Sequence, residues 1–286
     1  MKYEASRLRS SVLWTVFKQS LTEWSSDNVP RLGASLSFYT LLSLAPGIVI
    51  VVAGAALVYG QDAAQGALVG KIRESVGAEV GEAMQELLKD AAKPATSVLA
   101  TVFSLLTLAF SASSVFVELH DALNVIWRVP TRRDRTNAAT AIRLIKERLY
   151  AFAMVMTAGF LLLVSVVISA WIAGADRSAA HATTLVLTSL MIAALFAAVY
   201  KTIPDITVKW SDVSLGAAFT SLLFVPGKEL IAVYFARSSF RSAYGTVASP
   251  LIVLLWVYYS AQLFFWGAEF TKVYTRALGS QREQQV

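Results

Sequence analysis

In the stretch SLLFVPGKELIAVYF, Ser221–Phe235, Lys228 and Glu229 interrupt apolar sequence directly after Pro226-Gly227. A cation there can receive an anionic group, while its neighbouring carboxylate points about 100° away around a helix. A second set, Glu118, Asp121, Asn124 and Arg128, recurs every three to four residues. That spacing makes one polar helical face, with Ser111 and Ser114 above it. A third polar group is Glu269, in WGAEFTK. Ionisable side chains inside apolar spans are costly, face the bundle interior, and mark ion paths, relays and ligand sites. The available chemistry is therefore anion binding, gating or proton exchange. Equally compatible are a buried ion pair that only fixes packing, or a lysine that snorkels to the headgroups.

The backbone around two of these positions is interrupted. Proline removes a helix donor and clashes with the preceding turn, and glycine loosens the helix further. Pro226-Gly227 and Pro46-Gly47 are therefore expected helix breaks, the first kinking its span. Carbonyls freed at membrane depth persist where protein or a wet cavity covers them, a pattern transporters use for midplane sites. Lys228 is expected to point into the bundle. Glu269 is expected near the inner end of its span, roughly 14 Å from Lys228 along the axis and too far for a direct bridge. Freed carbonyls, the hydroxyls of Ser43 or Tyr39, water or an anionic ligand are the expected partners of Lys228.

Other chemistry has little to work with. The chain has no cysteine and two histidines, His120 and His181, so a catalytic metal site lacks ligands. Neither GxxxxGK(S/T) nor GxGxxG occurs, and no serine sits in GxSxG. No catalytic residue, metal or cofactor is expected, and the protein is read as a non-enzyme.

The elements that position these groups follow from hydropathy. Of 286 residues, 56% are hydrophobic and 15% charged, with mean hydropathy +0.57; soluble domains carry about 25% charged residues. Six segments reach the ~20 residues that cross ~30 Å of hydrocarbon: Ser35–Tyr59, Ser97–Val117, Leu149–Ala173, Ala182–Tyr200, Val213–Phe235 and Pro250–Tyr274. Backbone crossing lipid must satisfy its own hydrogen bonds, so the expected fold is all-α, a polytopic six-span domain over 1–286. With the N-terminus inside, seventeen of the 25 Lys and Arg fall on the inner side. That asymmetry predicts both termini in the cytoplasm, and it accounts for the pI near 9.5. The basic loop 128–148 lacks interleaved aromatics, so nucleic acid is not an expected partner; anionic inner-leaflet lipid is.

No secretory signal core is read in 1–30. Instead Val12, Leu13, Val16, Phe17, Leu21 and Trp24 fall at helical spacing within 1–33, with Lys18 and Glu23 off the stripe. This segment either lies in the membrane interface or packs on the cytoplasmic ends of the spans. In the loop 60–96, Leu68, Ile72, Val76, Val80, Met84 and Leu87 or Leu88 form another stripe. That predicts an extracytoplasmic amphipathic helix, or a bent helical pair, that either caps the bundle or stands in solvent.

Four stretches carry a resemblance: RLGASLSFYTLLSLAPGIVIVVA, SASSVFVELHDALNVIWRVP, KELIAVYF, and YGTVASPLIVLLWVYYSAQLFFWGAEFTKVY. They resemble the YihY/BrkB virulence-factor family of bacterial inner-membrane proteins. The markers are Ser43, Pro46, Leu123-Asn124, Lys228, Tyr244-Gly245, Trp256, Tyr258 and Gly267-Ala268-Glu269. The resemblance implies a six-span helical fold in the inner membrane and envelope phenotypes that suit transport or lipid handling. The ribonuclease BN label the family has carried finds no support in the residues, because phosphodiester hydrolysis needs a ligand set absent here. The expected function is transport of a lipid or amphipathic anionic solute through a polar cavity, using Lys228, Glu229, Glu269, Glu118, Asp121 and Asn124. The alternative is a non-catalytic scaffold for envelope machinery. Association into a homo-oligomer is open.

Overall fold

A computed structural model describes residues 2–43, 78–91, 114–129 and 177–279, and among these every regular element is helical. The helices are α1 (Lys2–Ser26), α2 (29–43), α3 (Ala78–Ala91), α4 (114–127), α5 (Arg177–Thr202), α6 (Trp210–Arg237), the short α7 (Phe240–Tyr244) and α8 (Ala248–Ala277). A 3-10 turn, Gly245–Val247, joins the last two. Two of them, α6 and α8, are long and apolar enough to cross a membrane, and α5 contains a shorter apolar run, Val186–Thr202. Helix therefore covers all three of the last expected segments, and α6 and α8 have the length and composition of spans. The expected spans Ser97–Val117 and Leu149–Ala173, most of Ser35–Tyr59 and the basic loop lie wholly or largely outside the described residues, as do Pro46 and Gly47. On α6, Leu222 and Leu230 are 76% and 68% exposed. A 28-residue helix presenting large aliphatic side chains outward needs an apolar surrounding.

The chain divides into two compact units, Met1–Pro30, Leu119–Val225 and Leu263–Val286 in one, Arg31–Glu118 and Pro226–Gln262 in the other. In the first, α1 packs its apolar stripe on the C-terminal half of α8. Val16 is buried with Phe270 and Val273, and Val12, Phe219 and Tyr274 close around them. Trp266 Nε1 donates to Ser20 Oγ at 3.1 Å across the same seam. Val12 and Val16 of the N-terminal stripe pack on α8, while Leu13 and Leu21 of the same stripe are exposed.

The same unit joins α6 to α8 through a sequence echo. Residues 216–220 read GAAFT and residues 267–271 read GAEFT. A Cβ on Gly216 would stand 1.8 Å from Thr271 Oγ1, and one on Gly267 the same distance from Thr220 Oγ1. Each threonine donates to its own glycine's carbonyl, at 2.8 Å on α6 and 2.7 Å on α8. The intervening Phe219 and Phe270 stack at 4.0 Å. Small residues let the backbones approach, and the hydroxyls cost nothing there because they bond within their own helices. Tyr200 of α5, fully buried, donates to Phe264 O at 2.6 Å.

In the second unit, Val80 and Ala83 of α3 are buried against Phe235 at the end of α6 and Ala248, Ile252 and Val253 at the start of α8. The amphipathic helix expected in the loop 60–96 is present over 78–91 with Val80 inward, and it covers helix ends. The rest of that loop lies outside the described residues.

Candidate functional site

Among the described residues, a dense polar cluster is built where α1, α4 and α8 end. α1 stops through Asn28, which takes φ +53°, a left-handed value that asparagine tolerates better than most residues. α4 stops through Arg128 at φ +54°. There Arg128 N–H bonds Val125 O at 3.0 Å and Val129 N–H bonds Asn124 O at 2.9 Å, the paired closure usually made with glycine. Placing arginine in that conformation costs roughly 1–2 kcal/mol. Its guanidinium gains Glu23 Oε2 at 2.9 Å and Asp27 Oδ1 at 3.2 Å.

At the centre is Lys272 of α8, with no exposed side-chain surface. Its Nζ stands 2.8 Å from Glu23 Oε2, 2.8 Å from Asp27 Oδ2 and 2.5 Å from Glu269 Oε2. Glu269 is equally buried and is one helical turn away. The last contact is an ion pair by distance, since neither Glu269 oxygen makes a hydrogen bond of ordinary geometry among the described residues. Glu23, Asp27 and Glu269 bring carboxylate oxygens within 4.8 Å of one another, close enough to surround a metal ion. The Lys272 ammonium fills that role, so the cluster is three carboxylates around a tethered cation, with Arg128 at its rim. With all five ionised it carries one excess negative charge.

Burial raises the Glu23 carboxyl, but the hydrogen bond and charge of Lys272, with Arg128 behind, more than offset it and hold it below the usual range. Asp27 follows the same balance: burial pushes it up, and Lys272 leads the groups that bring it lower. Arg128 is pushed up, first by its hydrogen bond to Asp27.

The polar face expected on the helix leaving the second span divides between two places. Arg128 belongs to the cluster above. Asp121 and Asn124 instead gather around buried His120. His120 Nε2 is 3.2 Å from Asp205 Oδ2 and Nδ1 is 3.4 Å from Asp121 Oδ1. Asn124 grips the α5–α6 connection with both ends of its amide, Nδ2 donating to Asp205 Oδ2 at 3.2 Å and Oδ1 accepting from Asp205 N–H at 2.9 Å. The hydrogen bond to Asp121 raises the His120 pKa, burial works against it, and Asp205 adds to the rise. Glu118 lies one turn earlier on α4 and is half-buried.

Lys228 differs from expectation in its surroundings. α6 continues as helix through Pro226 and Gly227, so these residues do not end it. The Lys228 side chain is 21% exposed, and its ammonium is 3.7 Å from Glu229 Oε1. The neighbouring carboxylate, expected to point away, is thus an ionic partner: long side chains bend across the angle separating adjacent positions. Ser43, an expected partner of Lys228, donates to Thr40 O at 2.9 Å. Sequence reading missed Lys272, Glu23, Asp27 and Asp205 as site residues. The Glu23/Asp27 and Glu269/Lys272 spacings, four and three residues, were the available signals.

Comparison with known proteins agrees with a membrane setting. A UPF0761 membrane protein of Nitrosospira multiformis is 28% identical over 266 residues, covering 87% of this chain and 58% of the relative. One from Photobacterium profundum is 27% identical over 270 residues, covering 91% and 79%, and one from Pseudomonas aeruginosa is 26% identical over 245 residues, covering 85% and 58%. The chain therefore spans less than two thirds of the first and last of these relatives. No solved structure matches. Relatives with these names and helices of membrane-crossing length make this a membrane protein. Residues 20–286 match the family described as Virulence factor BrkB, and the chain belongs to that family.

Proposed function

We propose that this protein is a transporter of the flippase type, moving a lipid or amphipathic anionic solute along a polar path in a six-span bundle of the bacterial inner membrane. On this reading both termini are cytoplasmic, no catalytic step is involved, and the cluster around Lys272 is the inner gate. The observation that carries it is a fully buried ammonium shared by three carboxylates, Glu23, Asp27 and Glu269, which with Arg128 at the rim leaves one acid in excess. Buried ion pairs add little net stability compared with apolar packing, and ionisable groups buried within a membrane helix, as Glu269 and Lys272 are on α8, mark ion paths and relays by default. An anionic group or a proton competing for these partners would loosen α1 from α8. Lys228, half-buried on α6, supplies the positive charge that first receives the anion.

The test is reconstitution into liposomes with headgroup-labelled lipids and fluorescent organic anions. Wild-type protein should accelerate movement of at least one, and Lys228→Met should reduce that rate at least tenfold while inserting normally. Absence of movement for the whole panel refutes the reading.

One observation favours a second reading. The seam of Val16, Phe270 and Val273, with the Trp266–Ser20 bond, already holds α1 on α8, so the ion cluster would be a clasp in a scaffold for envelope machinery. Stoichiometric co-purifying partners, with no flux, are what that reading requires.

A further inference from the structure

A second site lies in the other unit, where α6 ends. A cavity of about 320 Å³ is walled by Glu79 from the first turn of α3, Phe235 from α6, Ser238 and Ser239 from the connection, and Phe240 and Ser242 from α7. That volume is within the range of small-molecule sites.

Two of its hydroxyls share one sense. Ser238 Oγ donates its proton to Phe235 O at 2.9 Å, and Ser242 Oγ donates to Ser239 O at 2.9 Å. Each hydroxyl thus spends its only hydrogen on the backbone and keeps lone pairs to accept with. Glu79 adds a carboxylate. The C-terminus of the 28-residue α6 adds carbonyls and the negative end of a helix dipole, which favours cations. The rings of Phe235 and Phe240, edge to face at 6.0 Å, supply apolar wall and negative π density. Arg237, the basic residue of the last α6 turn, is exposed and is not part of the lining.

We propose that this cavity binds an organic ammonium group: a primary or quaternary amine, free in solution or carried as the headgroup of a zwitterionic lipid. Acceptors, a carboxylate and aromatic rings suit a donor-rich cation with an alkyl body and disfavour an anion. The inference is independent of the transport reading, because it concerns different residues and a ligand of opposite charge.

The experiment uses the full chain in detergent and in nanodiscs. Ethylammonium and tetramethylammonium are titrated against the intrinsic fluorescence of the protein, which includes Trp256 packed beside this unit's core, with sodium acetate as the control. Saturable binding of an ammonium, weakened at least tenfold by Glu79→Gln and abolished by Ser239→Arg, supports the site. Ser239 is exposed, so the second variant tests the cavity even if the first folds poorly. In nanodiscs of mixed phosphatidylethanolamine and phosphatidylglycerol, selective retention of the ethanolamine lipid by wild type and not by Ser239→Arg assigns the headgroup source. Binding of the free amines without lipid retention assigns the soluble source. No saturable binding in either arm, or binding unchanged by Ser239→Arg, overturns the proposal.

Discussion

Lys272 Nζ lies 2.8 Å from Asp27 Oδ2 although 245 residues separate them in the chain. That contact ties the end of the first helix to the end of the last, in a pocket from which Lys272 is wholly withdrawn from the surface.

Removing the ammonium leaves Glu23, Asp27 and Glu269 facing one another without their central countercharge. Lys272→Met is expected to lower stability by roughly 3–5 kcal/mol, the usual cost of breaking a buried ion pair from one side. Adding Glu269→Gln should recover part of the loss, because the buried negative charge falls with it. Denaturation in detergent of both single variants and the double variant measures the coupling; additive losses would show that Lys272 and Glu269 do not act on each other.

Among the groups with shifted values, Glu23, Asp27 and His120 give opposite arms to the pH profile. Glu23 and Asp27 are held below their ordinary range, so their contribution is present above the unfolded values near 4 and is lost as pH falls through the folded ones. His120 is raised, first by Asp121, so its contribution is full below its unfolded value of about 6.5 and fades as pH rises through the folded one. Melting temperature should therefore decline from pH 6 toward pH 8.5, and His120→Gln should flatten that decline while leaving the acid limb in place. An unchanged alkaline slope in the variant would remove His120 from the account.

The echoed GAxFT pair makes a steric prediction. A Cβ at Gly267 would meet Thr220 Oγ1 at 1.8 Å and Tyr200 Oη at 2.6 Å, so Gly267→Ala should cost about 1–3 kcal/mol through overpacking. Thr220→Ala should relieve this only in part, because Thr220 Cβ itself stands 2.8 Å away. A thermally neutral Gly267→Ala in a detergent melt would mean that the two helices are not this close.

The helices covering 182–200, 213–235 and 250–274 were legible because a long apolar run has one viable backbone state in lipid. Val80 was legible as the inward face of α3 because amphipathic spacing is local. Glu269 was singled out by its charge in apolar sequence, but its partners were not. Glu23 read as lying off the apolar stripe of an amphipathic helix, and nothing local says that it, or Asp27 four residues on, meets Lys272. Arg128 was grouped with Asp121 by spacing, yet the left-handed turn at its own backbone carries it to another cluster. Lys228 and Glu229 show the converse, where helical angle argued two neighbours apart and flexible side chains brought them to 3.7 Å.

The claim that α1 must part from α8 for transport is tested most directly by locking that seam without touching a charge. Val16 and Val273 are buried together, and the chain has no native cysteine to interfere. In proteoliposomes carrying Val16→Cys with Val273→Cys, oxidation to the disulfide should stop lipid or anion movement, and reduction should restore it to the level of the unmodified chain. Equal movement in the quantitatively cross-linked and reduced forms would contradict the gate at Lys272.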